Sequence, residues 1–174
     1  MVLTFTSSVV DPPATFIMGS DKNENDYLIS QATDRVIFFH VDDLPSAHVY
    51  LQLEPGEGLR DVSHALLQDA LQLCKANSAK GNKLSNVVVI YTLGSNLRKT
   101  NHMKPGEVGF FNDKEVRKIL VAKRDEKIMN RLNKTKQKVM SGKAQREKEQ
   151  QARERQRQKA EAKQQKRIKR KQEQ

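Results

Sequence analysis

Phe38-Phe39-His40-Val41-Asp42-Asp43-Leu44-Pro45-Ser46-Ala47-His48-Val49-Tyr50-Leu51 sets two histidines, two carboxylates and a serine between two apolar runs. Arg35–Val41 reads as a strand with a continuous apolar run. Ala47–Leu53 alternates, Val49 and Leu51 against Tyr50 and Gln52. A purely structural hairpin favours Asn-Gly or Asp-Gly at its turn. This connection instead carries groups that bond ligands.

Working outward, Val2–Thr6 and Thr15–Met18 read as strands split by Asp11-Pro12-Pro13, which cannot continue a ladder. Asn23–Ala32 reads as a short helix. A second helix follows Asp61 or Ser63 as N-cap and runs to about Ala79, with Leu66, Leu67, Ala70, Leu71 and Cys74 recurring at spacings of three and four. Gly81 is its expected stop. Asn86–Thr92 is a buried strand, and Gly94–Lys99 a loop or strand edge. Val108–Phe111 and Val116–Val121 suggest a closing hairpin turned at Asn112-Asp113. The expected fold is α+β: a single mixed, largely antiparallel sheet with packed helices over residues 1–122, followed by a basic helical tail.

Charge divides the chain in the same place. Residues 1–120 hold 12 Lys+Arg against 14 Asp+Glu, and residues 121–174 hold 20 against 7. The formal net charge of +11 therefore belongs to the C-terminal third, as in an arm that seeks polyanions. Within 123–140, Ile128, Leu132, Thr135 and Val139 form an amphipathic stripe. It could dimerise, bind a partner helix as an adaptor would, or dock on its own domain. Ser141-Gly142 breaks it. Residues 141–174 have no apolar seam and read as a solvated helix or a disordered arm. Lys166-Arg167-Ile168-Lys169-Arg170-Lys171 resembles a nuclear import signal, and Lys166, Arg167, Lys169, Arg170 and Lys171 are the expected tail contacts to phosphate. The lone Cys74 excludes an intrachain disulfide and reads as a buried thiol. The N-terminus has no signal-peptide pattern and no apolar run approaches a membrane span, so a cytoplasmic protein, with nuclear entry open, is expected.

His40, Asp42 and His48 offer a metal-ligand set, but no cysteine cluster or second carboxylate–histidine pair accompanies them. No metal or other cofactor is expected. Ser46, His48 and Asp42 contain the letters of a hydrolase triad without a nucleophile elbow, so no catalytic residue is assigned and no enzyme is expected. Histidines bonded across the hairpin, and ligand recognition, both remain open. Lys75 to Lys83, with Asn77, Ser78 and Lys80, and Ser95 to Thr100, with Asn96, Arg98 and Lys99, mix amides and hydroxyls with cations as phosphate and sugar contacts require.

In this order, Phe39-His40-Val41-Asp42, Ser46-Ala47-His48-Val49, Ala76-Asn77-Ser78, Val89-Ile90-Tyr91-Thr92, Asn96-Leu97-Arg98-Lys99-Thr100 and Gly106-Glu107-Val108-Gly109-Phe110 resemble the NFACT-R (RNA-binding) domain family. The resemblance covers residues 1–140, and the tail only in composition. It implies an α+β domain found within ribosome quality-control factors that contact RNA on large ribosomal subunits. Standalone relatives add a charged helical tail, and DNA is also linked to them. The implied partners are RNA, ribosomal or transfer RNA first, then DNA and ribosomal proteins. Its implied nucleic-acid contacts are His40, Asp42, Ser46, His48, Asn77, Ser78, Lys80, Tyr91, Asn96, Arg98 and Lys99. Two departures stand out: the family pattern has Trp at Phe38 and Pro-Trp at Leu93-Gly94, and this chain has no Trp. If those rings stack on bases, Phe38, Phe39 and Tyr91 must substitute; otherwise they are packing positions. Truncation after Lys123 is expected to flatten the salt dependence of binding while sparing any sequence or shape preference.

Overall fold

The architecture comes from a computed structural model that describes residues 1–172. Nine strands are placed: β1 (Val2–Ser7), β2 (Ala14–Gly19), β3 (Val36–Val41), β4 (Val49–Gln52), β5 (Val87–Leu93), β6 (Leu97–Arg98), β7 (Gly109–Phe110), β8 (Arg117–Val121) and β9 (Gln137–Val139). Four helices accompany them: α1 (Lys22–Gln31), α2 (His64–Ala76), α3 (Glu126–Asn133) and α4 (Gly142–Gln172). Seven strands form one sheet in the order β8-β5-β3-β4-β2-β1-β9, and β6 with β7 forms a separate ribbon. Every pairing is antiparallel. The chain is α+β, as expected. It divides into two units, Met1–Val139 and Met140–Gln174.

The quoted stretch is central. Phe38 lies opposite Tyr50 and Phe39 opposite Val49, while β5 pairs along the other side of β3. Because successive side chains alternate, Phe39 and Val41 face a core closed by Leu66, Ala70, Leu73 and Cys74 of α2 and by Met129 and Leu132 of α3. Phe38 and Tyr50 face a smaller core with Ile29 of α1 and Leu97. Both faces of β3 are covered, so its sequence reads as an unbroken apolar run. Cys74 is wholly buried and its thiol is pushed up to about 12, chiefly by burial.

Helix starts follow their caps. Asp21 accepts from Glu24 N–H, Ser63 from Leu66 N–H, and Asp125 from Lys127 and Ile128 N–H. α2 ends at Ala76 rather than Ala79. The Asn77 side chain donates to Leu73 O at 2.8 Å and closes the last turn, and Gly81 opens a separate 3-10 turn.

Two expected elements differ. The closing hairpin is absent: Phe110 pairs with Leu97 on β6, and β8 pairs with β5. Asn96 redirects the chain between them. Its Oδ1 accepts from Asn112 N–H at 2.9 Å, and its Nδ2 donates to Asn112 O at 2.9 Å and Thr92 Oγ1 at 3.0 Å. The amphipathic helix expected over 123–140 is also shorter. α3 stops at Asn133 and β9 follows, adding to the sheet edge with Val139 opposite Val2. Of the stripe, Leu132 is wholly buried and Ile128 packs against the same core. Thr135 accepts from Thr6 N–H at 2.9 Å and donates to Leu132 O at 2.7 Å. The stripe thus docks on its own domain. Arg131 bonds Asp69 of α2 through two contacts of 2.9 and 2.6 Å, and Ser7 donates to the same carboxylate.

α4 begins where Ser141 Oγ accepts from Ala144 N–H at 3.1 Å. Its described side chains beyond Ala144 are exposed all round, so it is the solvated helix of the two readings offered for the tail.

Candidate nucleic-acid interface

The connection between β3 and β4 is tied down by the residues that make it look like a site. Ser46 Oγ accepts from Val41 N–H at 3.0 Å and donates to Ala47 O. Ala47 N–H donates to Asn77 O at 3.1 Å. Ser78 Oγ donates to Pro45 O at 2.7 Å and accepts from Gly81 N–H. Ser46, Asn77 and Ser78 therefore do come together, but their side chains bond the backbones of Val41, Ala47, Leu73, Pro45 and Gly81. They clamp the connection onto the end of α2.

His40 and His48 stand edge to face, 5.1 Å between ring centroids, with Phe38 packed against both. They line a cleft of about 290 Å³ with Asp42, Ile90, Gly106, Val108 and Phe110. His40 Nδ1 lies 2.6 Å from Val41 O, which places a proton on that nitrogen. Burial lowers its pKa, opposed by the Val41 carbonyl and Asp42. His48 is 3% exposed and its Nδ1 is buried without a hydrogen-bond partner among the described residues. Burial first, then the neighbouring His40, pushes its pKa down to about 4. Among the described residues no three His, Cys, Asp or Glu side chains are grouped to hold a metal ion.

This depressed pKa has a measurable consequence. Above about pH 6.5 His48 is neutral folded and unfolded, and contributes nothing to pH dependence. Between 6.5 and about 4 the unfolded chain takes up a proton that the folded one refuses, so stability falls as pH falls. The loss by pH 4 is on the order of 3 kcal/mol. Denaturant midpoints at pH 7 and 4.5 should differ accordingly, and His48→Gln should flatten the difference. Equal midpoints for the parent protein would show that His48 is not held neutral.

Most remaining expected contacts are also spent internally. Asn96 is buried with both amide atoms bonded as described above, so it holds the fold and does not face a ligand. Tyr91 is buried and stacks on Phe39 at 5.5 Å, which removes it as a base-stacking ring. Phe38 and Phe39 are wholly buried. A Cβ at Gly94 would fall 2.6 Å from both Thr33 O and Val36 Cγ2, closing that position to any side chain. Both departures from the family pattern thus sit in packed interior. Lys99 Nζ donates to Lys104 O and Glu107 O and pairs with Asp26 at 3.0 Å, stapling the loop between them. Asp42 pairs with Lys118 at 3.3 Å.

Lys80 and Arg98 are exposed and take part in no ion pair among the described residues. Lys166 and Lys169 are exposed on α4, while the side chains of Arg167, Arg170 and Lys171 lie outside the described residues. A hollow of about 600 Å³ also collects Arg60, Lys114 and Arg117, which the sequence reading did not single out. Phe111 follows β7 and is 71% exposed. It lies in a bend, where strand alternation does not reach.

Comparisons with known proteins agree with this architecture. Residues 1–112 match the NFACT protein RNA binding domain. Coiled-coil domain-containing protein 25 of Danio rerio is 47% identical over 137 residues, and that of Bos taurus 49% over 137. These alignments cover 79% and 78% of this chain but 66% of each relative, so the chain spans just under two thirds of their length. The C-terminal part of the fibronectin/fibrinogen-binding protein from Streptococcus suis superposes with a TM-score of 0.60 at 23% identity, covering 74% of this chain and 48% of that one, and shares the fold. With an RNA-binding domain matched over most of its folded unit and nearly half of its aligned residues shared with those relatives, the chain belongs to the NFACT RNA-binding domain family.

Proposed function

We propose that this protein is a non-catalytic RNA-binding protein that acts on the ribosome or in its quality control. In this reading the folded unit orients the complex and α4 supplies most of the affinity. The observation that carries it is the contrast between the two units. The RNA-binding domain is nearly neutral, whereas Gly142–Gln172 holds 13 Lys+Arg against four acidic residues and no apolar seam. A helix of that length runs about 46 Å, enough to follow several phosphates. Ribosomal or transfer RNA is the proposed ligand, with ribosomal proteins as neighbours. The cytoplasm is the proposed place of action, with nuclear entry through the basic run Lys166 to Lys171.

Catalysis has no part in the proposal. In this reading Ser46 Oγ serves the fold, bonded to Val41 N–H and Ala47 O. An adaptor using the Ile128–Val139 stripe is disfavoured, because Leu132 and Ile128 pack against their own domain. DNA is the second reading, since phosphate contacts alone do not separate the two nucleic acids.

In-cell crosslinking followed by sequencing of the attached nucleic acid tests the ribosomal assignment. Discrete ribosomal or transfer RNA peaks are expected; a diffuse signal over all transcripts would remove it. In vitro, about five phosphate contacts from α4 give a log–log salt slope of roughly −3.5 to −4.5. Truncation after Met140 should flatten that slope. An unchanged slope would place the affinity in the folded unit.

A further inference from the structure

We infer that Phe111 to Arg117 is a single-strand contact, in which Phe111 stacks on an unpaired base and Lys114 and Arg117, with Arg60, hold the adjoining phosphates. The inference rests on the RNA-binding reading above and locates the part of it that selects single strands.

Three observations meet there. Phe111 alone among the six Phe and three Tyr is exposed, at 71%, so it can receive a base with no change of conformation. Arg60, Lys114 and Arg117 line one hollow and form no ion pair among the described residues, whereas Lys99, Lys118, Arg124 and Arg131 are each matched to a carboxylate. The segment is also held in place. Asn96 bonds both backbone groups of Asn112, Thr92 Oγ1 donates to Glu115 O at 3.1 Å, and Asn112 Oδ1 accepts from Lys114 N–H. Asn96 is thus a positioning residue for a surface it does not itself form.

Spacing suits the ligand. Lys114 lies three positions after Phe111, so their Cα atoms lie within about 11 Å, the reach of one or two nucleotides. Acidic groups temper the charge. Asp61 and Glu115 line the same hollow, and Asp113 begins the turn. Asp61 is occupied with Gly58 N–H at 2.7 Å, while Glu115 is in no ion pair among the described residues. The near balance means that stacking, not Coulomb attraction, contributes most here, and stacking tolerates any base.

The experiment uses the full chain and a labelled oligouridylate 12-mer, with a perfect RNA duplex as control. It is run at high salt, where the α4 phosphate contacts are screened. Phe111→Ala should weaken oligouridylate binding by roughly 5- to 150-fold and leave duplex binding unchanged, and Phe111→Trp should bind at least as tightly as the parent. Glu115→Gln should tighten binding, and Lys114→Gln/Arg117→Gln should lessen the salt slope by about 1.4. Equal affinity of Phe111→Ala and parent for the 12-mer would overturn the platform while leaving RNA binding intact. A parent that binds neither probe at any salt would overturn both.

Discussion

Truncation after Lys123 will unfold the domain, whereas truncation after Met140 will leave it folded. Composition changes at Lys123, and a tail would be cut there on charge alone. The structure puts the physical boundary later, between Val139 and Met140. Cutting after Lys123 removes Met129 and Leu132, which are 2% and 0% exposed in the main core, and strips β9 from the edge of β1. Removing each such side chain costs about 2–5 kcal/mol, against a total stability of about 5–15 kcal/mol. It also removes Arg131 and leaves Asp69 buried beside Ser7 alone. Circular dichroism and denaturant unfolding of the two truncations will separate these outcomes. A cooperative, native-like transition for the shorter chain would show that α3 is dispensable.

Arg131→Ala alone will destabilise by about 3–5 kcal/mol. Asp69 has a side chain 1% exposed, and Arg131 meets both of its oxygens. The bond to Asp69 in turn raises the pKa of Arg131 above its ordinary value. Removing the cation leaves a carboxylate in the core with the Ser7 hydroxyl as its remaining donor. Arg131 is 39% exposed, so water can enter behind it and the low end of the range is expected. Asp69→Ala frees Arg131 to turn outward, and the double variant should cost less than the two single changes together. Denaturant midpoints across the four proteins measure that coupling. Strict additivity would mean that the pair acts as two independent side chains.

Both predictions involve a segment whose role the sequence disguises. Ile128, Leu132, Thr135 and Val139 imitate a heptad seam, although they end up on a helix, a hydroxyl tie and a strand. The strand Gln137–Val139 joins the sheet through backbone bonds, with all three side chains exposed. No side-chain pattern records such a pairing. The false hairpin at Asn112-Asp113 has the same origin. What turns the chain there is one buried amide, Asn96, whose partners lie 16 residues away.

The candidate site divides similarly. Its motif residues were readable as polar groups at strand and helix ends, and Ser46, Asn77, Ser78 and His48 do gather around one connection. Which way their donors point was not readable. Hydrogen-bond direction depends on where the fold puts the backbones of Val41, Leu73 and Pro45, which absorb the groups that Ser46, Asn77 and Ser78 offered to a ligand.

Sequence alone determined the α+β class, the central β3–β4 pair, the α2 face, the buried thiol and the split between a neutral domain and a basic helix. All of these follow from periodicity, caps and charge, which act over a few residues. Only the tertiary structure decided that residues 124–139 complete the domain, that the histidine pair is buried, and that Phe111 faces out with Lys114 and Arg117 beside it in the chain. Those outcomes depend on contacts between residues far apart in the chain. Their energies come from desolvation and hydrogen-bond geometry that no local pattern encodes.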